Sequence, residues 1–110
     1  MPKYVNISRG LVNRVKELVA AHPELESVQT VVQALAELAV ERYREFLEGE
    51  PVEPRWGGSS IDSSTARKLK RIVLNSGLWG TTDELVRDIL RDFVQGRISV
   101  EEVARRIRRG

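Results

Sequence analysis

Residues 2–8 read PKYVNIS, and the alternation within them sets the expected fold. In an extended chain successive side chains point to opposite sides, so Val5 and Ile7 share one face and Tyr4 and Asn6 the other. The rest of the sequence is helical in pattern, which makes this one short strand standing ahead of helices. A lone strand leaves its backbone N–H and C=O groups unpaired, and an isolated pair is marginal in water. The segment therefore needs a partner.

Working outward, Ser8 is placed to cap a helix over about 9–21, in which Leu11, Val15, Leu18 and Val19 form one apolar stripe. Pro23 disfavours helix in the residue before it and ends that run. Ser27 can cap a second helix whose apolar positions are Val28, Val31, Val32, Leu35, Leu38, Ala39, Tyr43, Phe46 and Leu47. Residues 49–60, GEPVEPRWGGSS, are rich in Pro, Gly and Ser and read as a linker. The pattern then restarts. Asp62 is a possible cap before Thr65, Ala66, Leu69, Ile72 and Val73; residues 77–80 make a turn; Thr81 caps a helix carrying Leu85, Val86, Ile89, Leu90 and Phe93.

One constant offset of 54 lays the second half on the first. Ile7 falls on Ile61, Ser8 on Asp62, Val15 on Leu69, Ser27 on Thr81, Val31 on Leu85, Val32 on Val86 and Leu35 on Ile89, while Leu38 on Asp92 is a mismatch. This predicts an internal repeat of strand, helix, turn, helix, with units at 1–48 and 59–95 joined by a linker at 49–58. The second unit is degenerate. Residues 96–110 form a basic C-terminal helix, opened by a Ser99/Glu102 capping box and striped by Val100, Val103, Ala104 and Ile107.

At 110 residues with no cysteine and a single His, the chain offers neither disulfides nor a metal site to steady units of about 40 residues, which leaves association. No apolar run approaches a membrane span and no signal-peptide core opens the chain, so the expected location is cytoplasmic. Net charge is +2, unevenly placed: residues 1–50 carry 6 Lys/Arg against 8 Asp/Glu, residues 51–110 carry 12 against 8. A basic half suits an anionic partner, although solvated helix faces would look the same. No catalytic constellation, metal ligand set or cofactor motif is visible, and an enzyme is not expected.

Tyr4 to Leu18, with its alternating strand, Ser cap and first helix, resembles the ribbon-helix-helix DNA-binding proteins of the Arc and MetJ repressor type. Ser76 to Phe93 is similar to that family's turn and second helix. The resemblance implies a mainly α, tandem ribbon-helix-helix fold, with short strands paired into a ribbon over interlocked helical hairpins and a short C-terminal helix. It implies sequence-specific binding of double-stranded DNA, the ribbon lying in the major groove where each base pair shows a distinct pattern, in a transcriptional repressor. Carried over, Tyr4 and Asn6 become base contacts. Lys3, Ser27, Val28, Gln29, Thr81 and Thr82 become phosphate contacts, the last five through helix N-termini.

Elsewhere the pattern weakens. The second strand would fall on residues 55–61, where paired glycines are poor strand formers. Arg55, Trp56 and Ser60 are then possible strand or backbone contacts, as are Arg67 and Lys68 with Lys70 and Arg71 beside them; Trp56 could equally plug the core. Either the strands pair within the chain as a pseudo-dimer, with further self-association, or two chains pair theirs in a homodimer. Two other functions stay open: the antitoxin of a toxin–antitoxin pair, docking its toxin through the tail from Ile98, and a helical protein-interaction module without DNA.

Overall fold

A computed structural model describes residues 9–47 and 61–109 of the chain, which hold α1 (Arg9–Ala21), α2 (Val28–Arg42), α3 (Ser63–Ser76), α4 (Thr82–Val94) and α5 (Val100–Arg109). Short 3₁₀ turns at Pro23–Leu25 and Arg44–Phe46 follow α1 and α2. The starts are chemically marked. Ser27 Oγ accepts from Thr30 N–H at 3.1 Å, Asp62 Oδ1 from Thr65 N–H at 2.8 Å, Thr81 Oγ1 from Glu84 N–H at 3.2 Å and Ser99 Oγ from Glu102 N–H at 3.1 Å. Each such bond satisfies one of the donors a helix N-terminus leaves free.

The ends are just as local. α1 stops before Pro23. Gly77, at φ +68°, gives α3 a left-handed terminus that costs a residue without Cβ little. At the end of the first turn Glu26 adopts φ 68°, ψ −69°, and Ser27 N–H reaches Leu25 O at 2.8 Å. These are the angles of the rare, strained γ-turn. α2 stops at Arg42, short of the expected run to Leu47, because the chain turns for two distant partners. Tyr43 meets Trp79 edge to face, with centroids 5.0 Å apart, and Asn75 Nδ2 donates to Phe46 O.

α2 is the central helix, packing on α1, α3, α4 and α5. One core takes Val15 from α1, Val31, Val32 and Leu35 from α2, Leu69 and Ile72 from α3, Leu85, Val86, Ile89, Leu90 and Phe93 from α4, and Val103 and Ala104 from α5. The offset of 54 holds in this packing: Val15 and Leu69, Val31 and Leu85, Val32 and Val86, and Leu35 and Ile89 are buried pair by pair. Its mismatch has a cause. α5 packs on α2 and on the Pro23–Leu25 turn of the first half, so Leu38 lies beside Glu102, Arg105, Arg106 and Arg109 of α5, whereas Asp92 on α4 pairs with Arg42 and Arg97.

α5 is held by more than its apolar side. Arg106 donates to Glu37 at 2.8 Å and to Glu41, and these carboxylates raise the affinity of the guanidinium for its proton. The acids of α5 lie in its first turn and three of its four arginines in its last, the arrangement the helix dipole favours.

This architecture corrects the expected tandem ribbon-helix-helix fold. Among the described residues there is no strand; five helices close their apolar stripes on one another, and the core they build contains no sheet face. The segments read as strands, residues 2–8 and 55–60, lie outside the described residues, and so does the Ser8 cap. Ile61, read as the end of the second strand, is a buried residue in a bend, 1% exposed. The sequence signal was weak on physical grounds: an alternation of four residues competes with helical stripes that persist over thirteen or more. Among the described residues no helix is long and apolar enough to cross a membrane.

Asp62 gives a pH test of this assembly. Its carboxylate accepts from Thr65 N–H and also interacts with Thr65 Oγ1, Gln33 and the nearby charge of Lys68, which holds its pKa below the ordinary value despite partial desolvation. A carboxyl whose pKa is lower in the folded state adds stability above its unfolded pKa and loses it as pH falls through the folded one. Asp62→Ala is therefore expected to cost about 0.5–2 kcal/mol near neutral pH. That difference should shrink below about pH 4, as read by urea melts across pH. A difference that does not change with pH would remove the ionised cap from the account.

Candidate nucleic-acid interface

Charge on this molecule is sorted into blocks. Residues 63–82, which contain α3, carry Arg67, Lys68, Lys70 and Arg71 and no Asp or Glu. The core stripe of α3 is Thr65, Ala66, Leu69, Ile72 and Val73, so the cations occupy the rest of its circumference. Arg67 and Lys68 are exposed and Lys70 and Arg71 half-buried. Arg71 Nε is buried without a hydrogen-bond partner among the described residues.

Two of these cations recur in the first half. Lys68 corresponds to Arg14 and Lys70 to Lys16 under the offset of 54, and both α1 residues are exposed. Equivalent cations on equivalent helices of a repeat give the two halves a common electrostatic feature, the kind of pattern a repeating polyanion meets.

α3 is fixed to α2 by Gln33, which the sequence reading passed over. Its Oε1 accepts from Asp62 N–H at 2.8 Å, and its Nε2 lies 2.8 Å from Asp62 Oδ2, 3.3 Å from Thr65 Oγ1 and 2.7 Å from Glu37 Oε2. The one available signal was a polar residue amid the apolar run from Val31 to Ala36.

The two candidate phosphate-binding helix starts differ. At α4, Asp83 and Glu84 occupy the first turn, and Glu84 Oε2 accepts from Gly80 N–H at 3.0 Å. The carboxylates there already satisfy and neutralise the positive end of the helix; Thr81 is exposed and Thr82 is buried. At α2 the first turn holds no acid. Ser27 and Gln29 are exposed there, and Val28 packs partly against the core. Lys3, Tyr4, Asn6, Arg55, Trp56 and Ser60 lie outside the described residues.

The tail expected to dock a toxin is part of the fold. Ile98 and Val103 are 1% and 0% exposed, so a partner reaching α5 would meet its charged outer side. No family model, curated protein or solved structure matches the chain.

Proposed function

We propose that this protein binds double-stranded DNA, as a small cytoplasmic regulator that acts by occupying its site and not by catalysis. The observation that supports the reading best is the cation block of α3, four Lys or Arg with no carboxylate between Asp62 and Asp83. Side chains of this kind displace condensed counterions from a duplex, and the release drives binding without regard to sequence. Arg14 and Lys16 extend the same contact to the first half. The α2 start, free of acid in its first turn, is the better of the two helix termini for a phosphate. Lys3, Tyr4 and Asn6, ahead of α1 in sequence, supply further hydrogen-bonding groups, and Asn6 has the amide that pairs with an adenine edge.

The test is a salt titration of binding to random duplexes, comparing the parent chain with Lys68→Ala and Asn6→Ala. Each phosphate contact contributes about 0.9 to the slope of log affinity against log salt. Lys68→Ala is expected to weaken all sequences alike and to reduce the slope by about 1. Asn6→Ala is expected to relax one base position by about 1–3 kcal/mol. Absence of binding to every duplex at low salt overturns the reading.

A further inference from the structure

The four cations of α3 do not all lie on one side of the helix. Lys68 lines a cavity with Glu37, Glu41 and Arg106, on the flank toward α2. Arg67, Arg71 and Leu74 follow one another at i, i+4 and i+7 and so share a face, the one turned away from the buried stripe of Thr65, Leu69 and Ile72. Arg67 is exposed, Arg71 half-buried and Leu74 55% exposed. A large apolar side chain thus stands in water on a cationic face. Asn75, next in sequence, is occupied by Phe46 O.

Of the five described helices only α3 lacks Asp and Glu. A polyanion therefore reaches it without meeting a like charge on the helix itself. Its 14 residues make a rod about 21 Å long, more than the ~12 Å width of the DNA major groove, which admits an α-helix. A helix lying there turns its outer face to the base edges and its flanks to the phosphate backbones.

We infer, resting on the DNA-binding reading above, that α3 lies in the major groove and reads sequence, with Arg71 on a guanine and Leu74 against the 5-methyl group of a thymine. The fork of an arginine matches O6 and N7 of guanine, and an apolar side chain meets the thymine methyl. Arg71 and Leu74 are separated by about 4.5 Å along the helix axis, close to the ~3.4 Å step between successive bases of a strand, so the guanine and the thymine fall at neighbouring base pairs. Contact with phosphates alone would leave Leu74 in water. A groove contact buries it.

The test selects duplexes from a random pool with the full chain, then measures binding of the selected site with each thymine in turn replaced by deoxyuridine, which lacks only the 5-methyl group. The parent is compared with Leu74→Ala and Arg71→Lys, each first shown by thermal melting to keep the parent fold. One replacement should weaken the parent about fourfold, the worth of one methyl group removed from water, and Leu74→Ala should bind the thymine and deoxyuridine duplexes alike. Arg71→Lys keeps the charge but loses the fork, so the salt slope should stay while preference for a guanine beside that thymine falls by about 5- to 150-fold. A bound duplex indifferent to every replacement, a deoxyuridine penalty that survives in Leu74→Ala, or a guanine preference untouched by Arg71→Lys overturns the inference and leaves DNA binding standing. Absence of binding to every duplex overturns both.

Discussion

Leu35→Ala is expected to lower the free energy of unfolding by about 2–5 kcal/mol, the cost of deleting a fully buried leucine and leaving a cavity. Leu35 is 0% exposed and sits on α2, the helix that touches all four others. Relaxation into the cavity is resisted from several sides at once, which puts the cost toward the upper part of that range. Domains of this size are stable by only about 5–15 kcal/mol, so the variant should melt at a markedly lower denaturant concentration. Leu74→Ala, at an exposed position of α3, is the matched control and should stay within about 0.5 kcal/mol of the parent. Equal effects at the two positions would mean that α2 is not the centre of the core.

Ending the chain at Arg97 is expected to abolish cooperative unfolding altogether. The truncation removes Ile98, Val103 and Ala104, which are 1%, 0% and 4% exposed, and uncovers what α5 packs against on α2 and on the Pro23–Leu25 turn, where Leu25 is fully buried. Burying an Ile or a Val is worth about 1.5–3 kcal/mol each, before the bonds of Arg106 to Glu37 and Glu41 are counted. The sum approaches the whole stability of a small domain. Circular dichroism during heating would check it. A truncated chain that melts like the parent would make α5 an appendage, free to serve as a docking segment.

The helices were legible because their signals are local. Val15, Leu18 and Val19, or Leu69, Ile72 and Val73, announce a stripe through spacing alone, and Ser27, Thr81 and Ser99 are hydroxyls at positions where a cap bond is available. What escaped the sequence depends on distant partners. Nothing near Tyr43 announces the turn that brings it to Trp79, and Gln33 reads as surface until Asp62 is set beside it. The ribbon was overturned for the converse reason: Val5 and Ile7 gave a short alternation, whereas the helical stripes they introduce bury one another in a core of helices. Of the candidate site, the α3 cations could be found by counting charge, but the contrast between the α2 and α4 starts required seeing Glu84 turn back to Gly80.

The repeat lies within one chain, and this changes what a mutation does. In an assembly of two identical chains every substitution arrives twice, so a residue useful on one side must be tolerated on the other. Here each half is altered singly. Leu38 is apolar under α5, while its counterpart is Asp92, with Arg42 and Arg97 as partners. Dilution has no hold on the pair either, since the halves meet at a concentration fixed by their connection. Each half can therefore carry its own surface, while the two meet in the core.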